Sequence, residues 1–319
     1  MKRLRFVSLC ALALTMALAA VPALAKTYVV SITQIVEHPA LDAVRNGFVE
    51  GLKNNGVEAT VNVHIAQGNP AVNVQIANQM LGEKPDLVLA IATPSAQAAA
   101  QKIKDIPVLF SAVSDPLGAG LVDSLDAPGG NVTGMTDMSP VDRQLALMRE
   151  IKPDLQTLGV IYNAGEANSV SQLELLKAEA KKLGMATVEA TVTNSGGVYQ
   201  AAKSLVGRCD AVYIPLDNTV VSALESAIKV CTENRLPLFS SDNDSVPRGT
   251  IAAVAVDYGR MGEQTAAMAK RILEGGEKLA AMPVEQLQDL EVVVNAKAAA
   301  DMGVTLPESV LKKAGKVIE

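Results

Sequence analysis

Two apolar runs in this sequence end in polar groups suited to holding a small charged molecule. "LVLAIA" stops at Thr93-Pro94-Ser95 and "AVYIPL" stops at Asp217-Asn218-Thr219, and each is followed by helical spacing. A helix start presents unpaired backbone N–H groups and a partial positive charge, which suit a carboxylate. An aspartate at such a tip suits an ammonium. Other apolar runs end in the same way. "FSAVSDP" supplies Ser111, Ser114 and Asp115, "FSSDNDS" supplies Asp242, and "YNAGEANS" supplies Asn163, Glu166 and Asn168. The tips in the first half carry hydroxyls and helix starts, and those in the second half carry mostly acids and amides. That asymmetry suits a zwitterion, its carboxylate toward Thr93 and Ser95 and its ammonium toward Asp217 and Asp242. Taken singly, each of these residues is also a good helix cap.

The elements that must position these tips alternate strand and helix along most of the chain. "TYVVSIT", "ATVNVHIA", "DLVLAIA" and "PVLFSAV" are separated by helical segments. The same order restarts at Leu158 with "LGVIYNA", "ATVEATV", "DAVYIPL" and "PLFSSD". Gly56 and Gly184 occupy matching helix ends, where a left-handed residue is needed. Short apolar strands between helices predict parallel sheets covered on both faces. The expectation is therefore α/β: two Rossmann-like lobes, with function at the carboxyl ends of the strands. Pro153 in "KPDLQT" cannot continue a helix and marks the expected boundary. "IAAVAVD" and the helix after it should return the chain to the first lobe, and "LEVVVN" to the second. The lobes are then 26–153 plus 257–285 and 154–256 plus 286–319, joined by a three-crossover hinge.

Residues 1–25 read as a signal peptide: Lys2, Arg3 and Arg5, an apolar run, and Ala23-Leu24-Ala25 as the cleavage signal. Its removal leaves 25 basic against 34 acidic side chains, a net charge of −9. With no basic stripe, nucleic acid and anionic membrane are poor partners. The apolar run is shorter than the ~20 residues that span a bilayer, so the expected location is the periplasm.

Catalysis has little to work with. The only histidines are His38 and His64, and His64 lies inside a strand-like run. No G-x-S-x-G, P-loop or strand-linked G-x-G-x-x-G is present, and no His/Cys spacing suits a metal. The expectation is no enzyme, no cofactor and no metal. Cys209 and Cys231 stand at the start of a strand and the end of the next helix, which places both at one edge of a sheet. They read as a disulfide worth ~3 kcal/mol or as two buried thiols, with a slight lean to the bond.

Three segments carry a family resemblance: "EHPALDAVRNGF" (37–48), "SDPLGAGLVDSLDAPGGNVTGMTD" (114–137) and the tail "VVVNAKAAADMGVTLPESVLKKAGKVIE" (292–319). The chain resembles the substrate-binding proteins of ABC importers, of the tryptophan/tyrosine-type (TrpX-like) family. The resemblance implies a type I periplasmic-binding fold and a monomer that traps a small ligand, typically an amino acid, for a membrane permease. The binding positions it implies are Thr93, Ser95, Ser114, Asp115, Asp217 and Asp242, with Gln34, His38 and Asn163 as additions. A secreted sensor that presents ligand to a membrane receptor would use the same cleft. The chain has no Trp, five Tyr and four Phe, so means to stack a ring are limited. Tyr162, Tyr199 and Tyr258, with Met135 and Met138, are the candidate walls, and an aliphatic ligand stays open.

Overall fold

A computed structural model describes residues 26–319, so the expected leader lies outside the described residues. The chain opens with β1 (Tyr28–Gln34), α1 (Pro39–Asn54), β2 (Ala59–Ile65) and α2 (Pro70–Glu83). It continues through β3 (Leu87–Ile91), α3 (Thr93–Lys102), β4 (Val108–Val113) and β5 (Val132–Thr136). Every residue of β3, β4 and β5 is buried, as apolar strands covered on both faces must be. Strand β2 lies at the edge and alternates polar and apolar residues instead. Gly56 and Gly184 adopt φ of 73° and 69°: both matching helix ends use the left-handed residue that the sequence proposed.

The second lobe repeats the grammar. Helix α4 (Val141–Ile151) leads into β6 (Thr157–Asn163), α5 (Ala167–Lys182), β7 (Ala186–Val192) and α6 (Val198–Leu205). Then come β8 (Ala211–Ile214), α7 (Asn218–Ser222), α8 (Leu224–Glu233), β9 (Leu238–Ser240) and β10 (Ala252–Ala255). Strands β6 to β9 form a parallel sheet in the order β7-β6-β8-β9.

Helix α9 (Tyr258–Leu273) returns to the first lobe and packs along α1, and β11 (Glu285–Gln286) completes a six-stranded parallel sheet, β11-β5-β4-β3-β1-β2. The tail adds β12 (Glu291–Asn295), α10 (Ala296–Asp301), α11 (Glu308–Lys313) and β13 (Lys316–Ile318) to the second lobe. Strand β12 pairs antiparallel with β10 and parallel with β13.

Each lobe has its own apolar core. Residues from Val30 to Met135 and from Val256 to Met282 fill one; those from Val141 to Val254, with Val294 to Val310, fill the other. The chain crosses three times, near 137–140, 255–256 and 287–291. One expectation is corrected here. Val141, Leu145 and Met148 bury the apolar face of α4 in the second core, so the first crossing precedes α4 instead of following it at Pro153. Pro153 does follow the helix end, but the buried face decides which lobe owns a helix.

The cysteines are a second correction. Both are free thiols. The Cys209 sulfur donates weakly to the Leu205 carbonyl at 3.5 Å and fills the space above Gly159, while Cys231 is buried in the second core. Each behaves as a small hydrophobe. Burial pushes the two thiols up to about 11 and about 12, which leaves neither in the reactive thiolate form at neutral pH.

Candidate functional site

The strand tips of the two lobes face one another across a narrow cavity of about 20 Å³, room for about one water molecule as the lobes stand. The first lobe contributes His38, Ala40 and Leu41 from the start of α1, and Ala112 and Ser114 from the end of β4. Asp137 comes from the first crossing and Tyr258 from the start of α9. The second lobe contributes Asn168 from α5, Leu216 to Asn218 and Val221 around α7, and Asp242 after β9.

Local backbone chemistry sets these positions. The pairing of β4 with β5 shifts register between Phe110 and Val113, and Ala112 there adopts φ 55°. Such a bulge re-aims the residues that follow it. It is possible because the facing position is Gly134, where a Cβ would lie 1.9 Å from the Phe110 carbonyl oxygen. Ser114 then donates to Asp137 Oδ1 at 2.9 Å, and the Tyr258 hydroxyl donates to Oδ2 at 2.9 Å. Asp217 caps α7, accepting from Val220 N at 2.8 Å, and also accepts from Asn163 N at 2.5 Å and Ser169 Oγ at 2.7 Å. Asp242 accepts from Ser245 N at 2.8 Å and Ser245 Oγ at 2.7 Å.

Electrostatically the cavity is acidic. Asp137, Asp217 and Asp242 are all at least nine-tenths buried, and no lysine or arginine lines the cavity. Burial pushes the Asp137 carboxyl up to about 6, against hydrogen bonds that favour its ionised form. Burial, with the nearby Glu166 charge, pushes Asp217 up to about 7. Burial also holds the His38 imidazole below its ordinary range, opposed by the Asp242 charge. Carboxylates desolvated in this way are relieved by a cation placed among them. Two liners are also left without partners: both ring nitrogens of His38, and the side-chain oxygen of Asn168. Buried polar atoms in native proteins are almost always paired, so these point to a polar ligand.

Of the nine binding positions expected from the sequence, His38, Ser114, Asp217 and Asp242 converge on the cavity. The other five do not line it. Gln34 spends its amide inside the first lobe on Val36 O, Asp42 and Arg45. Ser95 donates to Asn73 Oδ1 at 3.3 Å, and Thr93 is buried beside the cleft with its hydroxyl unpaired. Asn163 lines a wider outer cleft between the lobes. Asp115 caps Gly118 N at 2.8 Å and accepts from Ser171 across the lobes at 2.9 Å. Among the candidate walls, only Tyr258 lines the cavity. Tyr162 bonds Glu189 elsewhere, Tyr199 packs against the second core, Met135 is in the first core and Met138 is half-buried outside the cavity. Sequence reasoning passed over Asp137, a tip residue of β5 that "GMTDMS" displays, and did not rank Asn168. Among the described residues no group of His, Cys, Asp and Glu could hold a metal ion.

Comparison with known proteins agrees with this architecture. A tyrosine-binding protein from Clostridioides difficile (strain R20291) is 40% identical over 270 residues, covering 83% of this chain and 78% of that protein. The ABC domain from Streptococcus pneumonia in complex with L-Trp is 33% identical and covers 92% of this chain and 100% of its own, with a TM-score of 0.89. The ligand-free, open structure of a substrate-binding protein with adhesive properties from Clostridium difficile is 40% identical, covering 92% and 99%, with a TM-score of 0.69. Distant sugar-binding transport proteins share the type I periplasmic-binding fold alone. The family described as ABC transporter substrate binding protein matches residues 29–318, and the chain belongs to that family.

Proposed function

We propose that this protein captures an amino acid in the interlobe cavity, closes on it by hinge motion, and delivers it in the periplasm to a membrane permease. The observation that carries the reading is a narrow acidic cavity in which, among the described residues, three carboxylates meet no lysine or arginine and the Asn168 oxygen meets no donor. An ammonium group answers both. His38, Ser114, Asp217 and Asp242 are the ligand-binding residues retained from the sequence, with Asp137 and Asn168 added. Leu41, Ala112, Leu216 and Val221 offer an apolar wall for the side chain, and Tyr258 adds one ring. An aromatic amino acid accords with the printed ligands of the relatives, tyrosine and L-Trp.

Hinge closure is supported by a contrast among the similar structures. The L-Trp complex overlaps this chain better than the open, ligand-free structure does, although its identity is lower. Sequence divergence runs the other way, and a different arrangement of the lobes accounts for the difference in this reading. A ligand that contacts both lobes favours the closed arrangement by its differential affinity.

Thermal-shift screening against the twenty amino acids tests the reading, since a ligand that binds only the native state stabilises it by mass action. A rise confined to one class is expected, aromatic first. Asp217→Ala and Asp242→Ala should each weaken binding by about 2–5 kcal/mol, because a buried ammonium loses its partner. No rise with any amino acid rejects the proposal.

A further inference from the structure

Glu166 stands just outside the cavity and carries no contact to it, yet it is 6% exposed and accepts from five donors of its own lobe. Its Oε1 accepts from Thr219 N at 2.9 Å and Thr219 Oγ1 at 2.6 Å. Its Oε2 accepts from Asn218 N at 3.1 Å, Asn218 Nδ2 at 2.6 Å and Asn168 Nδ2 at 3.2 Å. The Asn168 amide nitrogen has a second acceptor in the Leu216 carbonyl at 2.7 Å. Two acceptors on one side of an amide can be satisfied only by its NH₂. The orientation of Asn168 is therefore forced, and its oxygen is turned away from both. That oxygen is buried and has no partner, and Asn168 lines the cavity.

We propose that Glu166 is a positioning residue that locks the Asn168 amide with its oxygen toward the cavity, making Asn168 the neutral acceptor for the ligand's ammonium. The inference rests on the amino-acid reading above and adds to it the residue that sets donor against acceptor. With the orientation locked, a ligand group that can only accept is rejected at this position, whereas an ammonium gains a hydrogen bond to a buried oxygen. Glu166 also lies beside Asp217, whose carboxyl it helps to hold above the ordinary range. The other titratable groups around the cavity are His38 ahead of α1, Asp137 at the first crossing, Tyr258 on α9 and Asp242 after β9.

The test is calorimetric titration of the full mature protein with L-tyrosine and L-tryptophan from pH 5 to pH 8, for wild type, Asn168→Ala and Glu166→Gln. Asn168→Ala should weaken the tighter ligand about tenfold or more, as expected for a hydrogen bond to a charged group. Glu166→Gln should weaken it several-fold and move the acid limb of the affinity profile to lower pH, since the charge that raises Asp217 is gone. If Glu166 acts through Asn168, Glu166→Gln should weaken binding no further in a background that already carries Asn168→Ala, whereas a purely structural Glu166 would weaken both backgrounds alike. Affinity within twofold of wild type in Asn168→Ala overturns the proposal. Should that variant fail to fold, affinity within twofold of wild type in Glu166→Gln overturns it. If wild type binds no amino acid at all, the failure belongs to the amino-acid reading itself, and this inference falls with it.

Discussion

Asp217 serves the architecture and also lines the cavity. It caps α7 and ties β6 to α5 through Asn163 and Ser169, and its remaining charge faces a cavity with no cation. Burial raises its carboxyl from 3.8 to about 7, and that of Asp137 from 3.8 to about 6. A folded state that holds protons more tightly than the unfolded chain loses stability as pH rises between the two values. The penalty is absent below about pH 4, grows through pH 6 and is complete above about pH 7. Ligand-free protein should therefore melt higher at pH 5 than at pH 8. Ligand-induced stabilisation should run oppositely, largest at pH 8, where the carboxylates are charged. Scanning calorimetry at the two pH values checks both trends. If Asp137→Asn/Asp217→Asn keeps the wild-type difference, its origin lies elsewhere.

Among the elements, the α1–α9 pair carries the cavity. Its helices cross at Gly47 and Gly262: a Cβ on Gly262 would stand 2.2 Å from Val44 O, and one on Gly47 would stand 2.1 Å from Gly259 O. The cavity residues His38, Ala40 and Leu41 begin one helix and Tyr258 begins the other, so this contact fixes the spacing between them. Gly262→Ala should cost about 1–3 kcal/mol through overpacking, and lower the melting temperature by about 2–4 °C for each kcal/mol. It should weaken ligand binding as well. An unchanged melting temperature would show that the helices can slide apart freely. Nothing in the local sequence marks these glycines, because inside a helix a glycine reads only as a weak helix former.

At the scale of the molecule, the lobes are in direct contact beside the cavity. Ser171 Oγ donates to Asp115 Oδ2 at 2.9 Å, and Gln172 Nε2 donates to Ser114 Oγ at 2.9 Å, each from α5 to the segment after β4. These bonds hold the lobes in this arrangement before any ligand contact is counted. Ser171→Ala should leave each lobe intact and weaken ligand binding about two- to tenfold, one net hydrogen bond's worth. Small-angle scattering of the ligand-free variant should give a larger radius of gyration than wild type, converging when ligand saturates. Equal radii and equal affinities would mean the contact is incidental.

Three motif segments carried the family resemblance, and the sequence alone determined the α/β class, the repeated lobes and the polar strand tips. These properties are written in local periodicity: apolar runs that must be covered, and Gly56 and Gly184 at helix ends that require positive φ. Tertiary structure decided which tips meet. Gln34 and Asp242 look alike as polar ends of apolar runs, but one is consumed by Arg45 and Asp42 while the other faces the cavity. It also moved the first crossing ahead of α4, left Cys209 and Cys231 as thiols, and brought in Asp137 and Asn168. The Asn168 amide donates to the carbonyl of Leu216, 48 residues away, as well as to its near neighbour Glu166. A side chain's partners are chosen by long-range packing, and no spacing pattern along the chain records them.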